Sequence, residues 1–289
     1  MNPGSIDQHK LKELLSLALA EDVGDGDHTS LATVSSAAKG IAEVRCKGDG
    51  IFAGSVVAPA LFNLVDDAVQ LRSFVTEGDE VTAGKIAMQV DGSIQSLLKA
   101  ERILLNCMQR MSGIATFTRK FVTEVAGTNA RILDTRKTTP NFRLLEKWAV
   151  KAGGGFNHRF GLYDMILIKD NHVDACGGVR NAIEKANAYL QQTGKTLAIE
   201  IEIRNLKELN ELLETGRVDR ILLDNFQPAG LAEAVKLVNG KFETEASGGI
   251  HLENVRAYAG TGVDFISVGG LTHSYRSMDI SMKIVRVHE

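Results

Sequence analysis

Six short apolar runs in the second half of this chain each close on a residue able to carry charge, donate a hydrogen bond or free the backbone: Asp134, Lys169, Glu202, Asp224, Ser247 and Gly269. Beside them stand Arg136, Lys137, Asp170, Asn225, Gly248, Gly249 and Gly270, with His158 and Arg159 in the stretch between the first two runs. From Arg131 to His172 there are 8 Lys and Arg against 4 Asp and Glu, a local surplus in a chain whose formal net charge is −3. Arg136, Lys137, Arg159 and Lys169, with His158 adjacent, would form a basic wall, and such convergence implies an anionic ligand with more than one charge. The last two runs end in SGG and VGG, where glycine leaves backbone N–H groups free to face phosphate oxygens. Glu202 and Asp224 oppose that wall. Acids facing a polyanion need a positive target, which a divalent metal, a ribose hydroxyl pair or a developing cation would supply.

Those residues must be brought to one place, and the period of the runs says how. The runs ILDTRK, MILIKDNH, AIEIEIRN, ILLDNF, TEASGGI and FISVGG recur every 22 to 35 residues or so. Helical patterns such as VRNAIEKANAYLQQTG and NLKELNELLETG lie between them. Strand, helix, strand at this period predicts βαβ units and a parallel sheet. Six repeats without a Rossmann fingerprint favour an α/β barrel, whose chemistry sits at the carboxyl ends of the strands.

The first half reads differently. Leu11, Leu14, Leu15 and Ala18 predict a first helix, and residues 41–94 predict short strands broken by glycine turns. Lys85 stands at a strand start and not at an exposed hairpin tip, so this region reads as structural rather than as a lipoyl-type carrier. A long helix is predicted from about Ile94, with Leu97, Leu104, Met108 and Met111 along one side. Its polar stripe, Arg102, Asn106 and Gln109, fits a solvated face or a functional one equally well. In EDVGDGDHTS, Ser30 occupies the position where a calcium loop needs glycine. Capping through Asp27, Thr29 and Ser30 is the better reading.

Composition narrows the classes further. The balance of 33 basic and 36 acidic residues argues against a nucleic-acid partner. No apolar run reaches a membrane span, and MNPGSIDQHK lacks the basic and apolar parts of a signal peptide. Cys46, Cys107 and Cys176 have no metal-ligand spacing, which suits a reducing cytoplasm. There is no GxxxxGK[ST] for nucleotide hydrolysis.

The stretches ILDTRKTTP, GGGFNHRFGLYDMILIKDNH, IEIEI, LLDNF, EASGGI and GVDFISVGGLTHS closely resemble the decarboxylating quinolinate phosphoribosyltransferases of pyridine-nucleotide synthesis. EDVGDGDHTS and AERILLNCMQRMSGIAT extend the resemblance over essentially the whole chain. It implies an α/β architecture: an N-terminal α/β sandwich over residues 1–113, then an incomplete (β/α) TIM-like barrel over residues 114–289. The first helix is left open to pack elsewhere, and the last helix to return to the N-terminal domain. It implies transfer of phosphoribosyl from phosphoribosyl pyrophosphate to quinolinate, giving nicotinate mononucleotide, pyrophosphate and CO2. Magnesium is implied, with no organic cofactor, in a cytoplasmic homodimer.

By the same resemblance, Arg136, Lys137, His158, Arg159 and Lys169 bind the two carboxylates, and Arg102 reaches a neighbour's site across the dimer interface. Ser247, Gly248, Gly249, Gly269 and Gly270 hold the ribose 5′-phosphate. Glu202 and Asp224 lie near the ribose and the Mg2+, touching the metal directly or through water. Lys137, Lys169, Glu202 and Asp224 are then the catalytic candidates. The pyridine nitrogen would displace pyrophosphate through an oxocarbenium-like state countered by the acid pair, and the quaternary nitrogen would stabilise the carbanion left by CO2.

Three other readings stay beside this one. A phosphoribosyltransferase for another carboxylated ring, such as nicotinate, would need only part of the basic wall. A Schiff-base aldolase would use Lys169 as nucleophile, but needs that amine in an apolar pocket and not beside Asp170. A non-catalytic anion-binding barrel would bind the same ligands without releasing pyrophosphate.

Overall fold

A computed structural model describes residues 6–288; the part of the leader reading that falls on residues 1–5 lies outside it. The chain divides into two compact units. The first holds the described residues up to Arg119, Thr138–Gly154 and the segment from Thr272 onward; the second holds Lys120–Lys137 and Gly155–Leu271.

Helix α1 (Gln8–Val23) opens the first unit, capped by Asp7, whose carboxylate accepts from the N–H groups of His9 and Lys10. Helix α2 (His28–Thr33) is capped by Asp27, which accepts the N–H and the hydroxyl of Ser30, so the calcium-like loop is a helix start. The Thr29 side chain takes no part in that cap; its carbonyl accepts from Thr33. Then come β1 (Lys39–Cys46), β2 (Gly50–Ile51), α3 (Val57–Val65), β3 (Gln70–Ser73), β4 (Glu80–Val81), β5 (Ile86–Ser93) and the 31-residue α4 (Ile94–Glu124). Leu97, Leu104, Met108 and Met111 of α4 are fully buried, as the apolar stripe predicts. Gln109 does not belong to a solvated face: it donates from its side chain to the carbonyl of Ile280 at 2.6 Å, while Arg102 and Asn106 are exposed. Leu11 and Leu15 are buried where α1 packs on α3, so the first helix stays with this unit.

The second unit continues with β6 (Arg131–Leu133), and α5 (Arg143–Ala152) belongs again to the first. Next are β7 (Ile166–Ile168), α6 (Asp170–Cys176), α7 (Val179–Thr193), β8 (Ile199–Ile203), α8 (Leu206–Thr215), β9 (Arg220–Asp224), α9 (Pro228–Val238), β10 (Glu243–Ser247), α10 (Val255–Ala259), β11 (Phe265–Ser267) and α11 (Gly270–His273). All six predicted strand runs are strands of one parallel sheet, in the order β6-β11-β10-β9-β8-β7. Strands β6 and β7 are its two ends, so the barrel is incomplete.

The last described element is not a helix but the strand β12 (Ile280–His288), and the segment from Thr272 onward belongs to the first unit. ISMKIVRVH alternates and is rich in branched residues, which favours a pleated strand. It pairs antiparallel with β1 from Cys46↔Ile280 to Lys39↔His288 and completes a sheet ordered β12-β1-β5-β3. Helix α4 runs unbroken through residues 113 and 114, and the two compact units divide within it at Arg119/Lys120.

Candidate active site at the carboxyl ends of the parallel strands

Alternation along the strands decides what faces the barrel interior. On β8, Ile199, Ile201 and Ile203 share one face, and Glu200 and Glu202 share the other. The register pairs Glu200 with Arg220, Leu222 with Glu245, and Asp224 with Ser247. Glu202, Asp224 and Ser247 therefore lie toward the carboxyl ends, and Glu200, Glu245 and Arg220 deeper.

At the upper level, Lys169 Nζ stands 4.0 Å from Glu202 Oε2. Burial raises the pKa of Glu202 above the carboxylate norm; the charge of Asp224 adds to this and Lys169 opposes it. Burial likewise raises Asp224, opposed by a hydrogen bond with Ser247 and by Lys169. Asn225 donates from Nδ2 to Asp224 Oδ2 at 2.5 Å, and its N–H donates to the carbonyl of Ser247 at 2.8 Å. Asn225 holds this junction with φ of +58°. Gly248, at φ of +95°, must be glycine: an added Cβ would lie 2.2 Å from Asn225 Oδ1. At Gly249 an added Cβ would meet nothing within 4 Å. Gly269 lies between β11 and α11, and Gly270 is the first residue of α11.

The expected basic wall is sorted by the fold. Arg136 and Lys137 follow β6 and are exposed, as is Lys169 before α6. Arg159 donates to the carbonyl of Met165 at 3.2 Å, and burial, with the Arg136 charge next, lowers its pKa. Arg136 is thus within electrostatic reach of Arg159. Arg131 instead lies over the rings of Phe156 and Phe265, at the start of its strand. Arg143, Lys147 and Lys151 belong to α5 in the first unit, and so does Arg102 on α4.

Asp134 closes its strand but does not open onto solvent. It is fully buried, and its carboxylate accepts the N–H of His158 at 2.9 Å and Nδ2 of Asn157 at 2.6 Å. His158 turns its ring into the barrel. Its Nδ1 accepts the N–H of Arg159 at 2.7 Å, and its Nε2 lies 2.9 Å from Glu200 Oε2 and 3.6 Å from Glu245 Oε2. A segment bridged to β6 at Leu133↔Phe156 thereby meets side chains from β8 and β10.

Glu200, Glu245 and Arg220 were not among the candidates from the sequence. Their signal was there: period two puts Glu200 on the face of Glu202, and Glu245 on that of Ser247. Both acids have no exposed surface, and burial pushes both pKa values up, Glu245 further through the charge of Glu200. Arg220 lies 3.2 Å from Glu245 Oε2 and 2.9 Å from Glu243 Oε2. His158, Glu200 and Glu245 place ligand-type atoms within 4.8 Å of one another. They do not make a metal site, because an Nδ1 that accepts from Arg159 leaves the ring hydrogen on Nε2, with no lone pair to offer.

The sequence matches the family descriptions "Quinolinate phosphoribosyl transferase, N-terminal domain" over residues 27–112 and "Quinolinate phosphoribosyl transferase, C-terminal domain" over residues 114–283. It is 45% identical to the probable nicotinate-nucleotide pyrophosphorylase [carboxylating] of Bacillus subtilis, covering 97% of this chain and 95% of that one. It is 43% identical to a mitochondrial quinolinate phosphoribosyltransferase [decarboxylating] of Nicotiana glauca, covering 98% and 85%. Among solved structures, NadC from Streptococcus pyogenes superposes with a TM-score of 0.93 at 36% identity, covering 99% of each chain. The nicotinate-nucleotide pyrophosphorylase of Francisella tularensis gives 0.90 at 36%, covering 98% of each.

Proposed function

The chain belongs to the quinolinate phosphoribosyltransferase family and forms nicotinate mononucleotide from quinolinate and phosphoribosyl pyrophosphate in de novo NAD biosynthesis, and on that premise we propose how its strand-end residues divide the work. Arg136, Lys137, Arg159 and Lys169 take the two carboxylates of quinolinate, a ligand whose charge matches the cations of this mouth. His158, with both ring nitrogens engaged inside the barrel, serves this pocket by position rather than by a direct bond. Ser247, Gly248, Gly249, Gly269 and Gly270 take the ribose 5′-phosphate at the ends of β10 and β11, where the φ of +95° at Gly248 and +61° at Gly249 turns the backbone sharply. Glu202 and Asp224 face the ribose and counter the positive charge that grows as pyrophosphate leaves. The observation that carries this division is the acid pair with Lys169 4.0 Å from Glu202 at the strand ends.

Magnesium fits the same pair. Two carboxylates offering hard oxygens, with substrate phosphates filling the remaining positions, are the donor set this ion favours. When bound it would offset the charge of the departing pyrophosphate. Glu202 and Asp224 would hold it, directly or through water. In the second stage the cations of the wall orient the dicarboxylate while the carboxylate on the carbon beside the quaternary nitrogen leaves as CO2; the electron pair left on that carbon is stabilised by the adjacent positive nitrogen and then takes a proton.

We further propose a homodimer in which Arg102, exposed on α4, completes the partner's site, and a cytoplasmic setting consistent with three free cysteines. No helix of the described residues is long and apolar enough to cross a membrane. A KM split tests the division of residues. Arg136→Ala and Arg159→Ala should each raise the KM for quinolinate about tenfold or more and spare that for phosphoribosyl pyrophosphate, and Ser247→Ala should do the reverse. The opposite pattern would overturn the division.

A further inference from the structure

Beneath the mouth the barrel buries a polar assembly that the transfer chemistry leaves unused. Glu200 and Glu245 are fully buried, and their side chains face one another and the ring of His158. Burying two acids side by side is costly, so the arrangement calls for a purpose. One oxygen of each acid lies near the ring Nε2 of His158, at 2.9 Å for Glu200 and 3.6 Å for Glu245, and the Glu245 oxygen also accepts from Arg220 at 3.2 Å. The opposite ring nitrogen accepts the N–H of Arg159 at 2.7 Å. That fixes the hydrogen on Nε2, between the two acids, while Arg220 at 3.2 Å from Glu245 balances the charge from below.

We propose that Glu200 and Glu245 are positioning residues for the quinolinate pocket: they hold His158 in its Nε2–H form and in the orientation whose Nδ1 anchors the backbone of Arg159. The segment is then pinned on two sides, by Asp134 through His158 N–H and Asn157, and by the imidazole through Arg159 N–H. The Arg159 guanidinium is thereby set at one angle, with the carbonyl of Met165 as its outer stop. This is the logic by which carboxylates behind a metal-bound histidine set its tautomer, applied to an arginine pocket. The inference rests on the reading that Arg159 binds the dicarboxylate.

The test compares Glu200→Leu, Glu200→Gln and Arg159→Ala by steady-state kinetics in both substrates. Leucine removes the carboxylate that lies 2.9 Å from Nε2, and replacing a buried charge with an apolar residue is commonly tolerated by the fold. The KM for quinolinate should rise about 10–100-fold, the range typical of losing such an orienting carboxylate, with the KM for phosphoribosyl pyrophosphate nearly unchanged. Glutamine keeps an acceptor oxygen and should recover most of the loss. A rise in Arg159→Ala with none in Glu200→Leu would overturn this inference and spare the pocket. No rise in Arg159→Ala would remove the pocket reading and the inference with it. An equal rise in both KM values would mark Glu200 as merely structural, again overturning it. Should Glu200→Leu not fold, 15N-histidine NMR of the wild-type enzyme decides, with His158→Asn assigning the signal. The proposal requires a neutral Nε2–H imidazole there, and an Nδ1–H form would contradict it.

Discussion

Glu202 and Asp224 share the mouth with Lys169, and burial raises both pKa values above the ordinary 4.5 and 3.8. In the role proposed for them, each must be ionised to counter an oxocarbenium. As pH falls through these raised values the acids protonate and activity is lost, so the acid limb of kcat/KM should lie above the usual carboxylate range. A pH profile that stays flat down to about pH 4 would contradict this, since ordinary carboxylates titrate there. Glu202→Gln keeps the shape and removes the charge, and loss of one preorganised electrostatic group costs roughly 10²–10³ in rate. The loss should fall on kcat, with quinolinate affinity, measured by titration calorimetry, preserved. An unchanged kcat at saturating substrates would refute the role.

The loop after β10 carries the sharpest local requirement. Gly248→Ala would drive a Cβ to 2.2 Å from Asn225 Oδ1, while Gly249→Ala meets nothing within 4 Å. Gly249→Ala should therefore cost only the strain of a positive φ, about 1 kcal/mol. Gly248→Ala should also displace Asn225 from Asp224 and sharply raise the KM for phosphoribosyl pyrophosphate. Equal effects of the two substitutions on that KM would contradict the geometry. The elements that build this loop were legible in the sequence, because a run such as ILLDNF or TEASGGI needs only its apolar period and its polar stop to declare a strand end. The cap at Asp27 was legible for the same local reason. What was not legible depended on distant partners. The strand Ile280–His288 declares itself only through β1, some 240 residues away. The inward turn of His158 toward Glu200 and Glu245 needs three separate strands to be in place. Asp134, a strand-end acid like Asp224 in sequence, is buried as an anchor because Asn157 and His158 fold back over it.

At the scale of the whole molecule, we propose that one site is shared between two chains. Arg102 is exposed on α4 of the first unit, and the strand-end residues all lie in the second. Arg102→Ala and Lys169→Ala should each be nearly inactive alone. In a mixed dimer of the two, one site collects both defects and the other neither, so random reassortment should restore about a quarter of wild-type activity. Isolated mixed dimers, proven by two tags, that remain dead would place Arg102 outside the partner's site. The central claim is that the mouth is built for a ligand with two carboxylates and removes one of them. Its most direct test is competition between quinolinate and nicotinate, each with magnesium and phosphoribosyl pyrophosphate, following pyrophosphate and CO2 together. A site built around a polar partner rejects an analogue lacking it by about 10⁴-fold or more. Quinolinate should therefore be preferred in kcat/KM by that order, with one CO2 released for each pyrophosphate. Comparable turnover of nicotinate, or pyrophosphate released from quinolinate without CO2, would contradict the account.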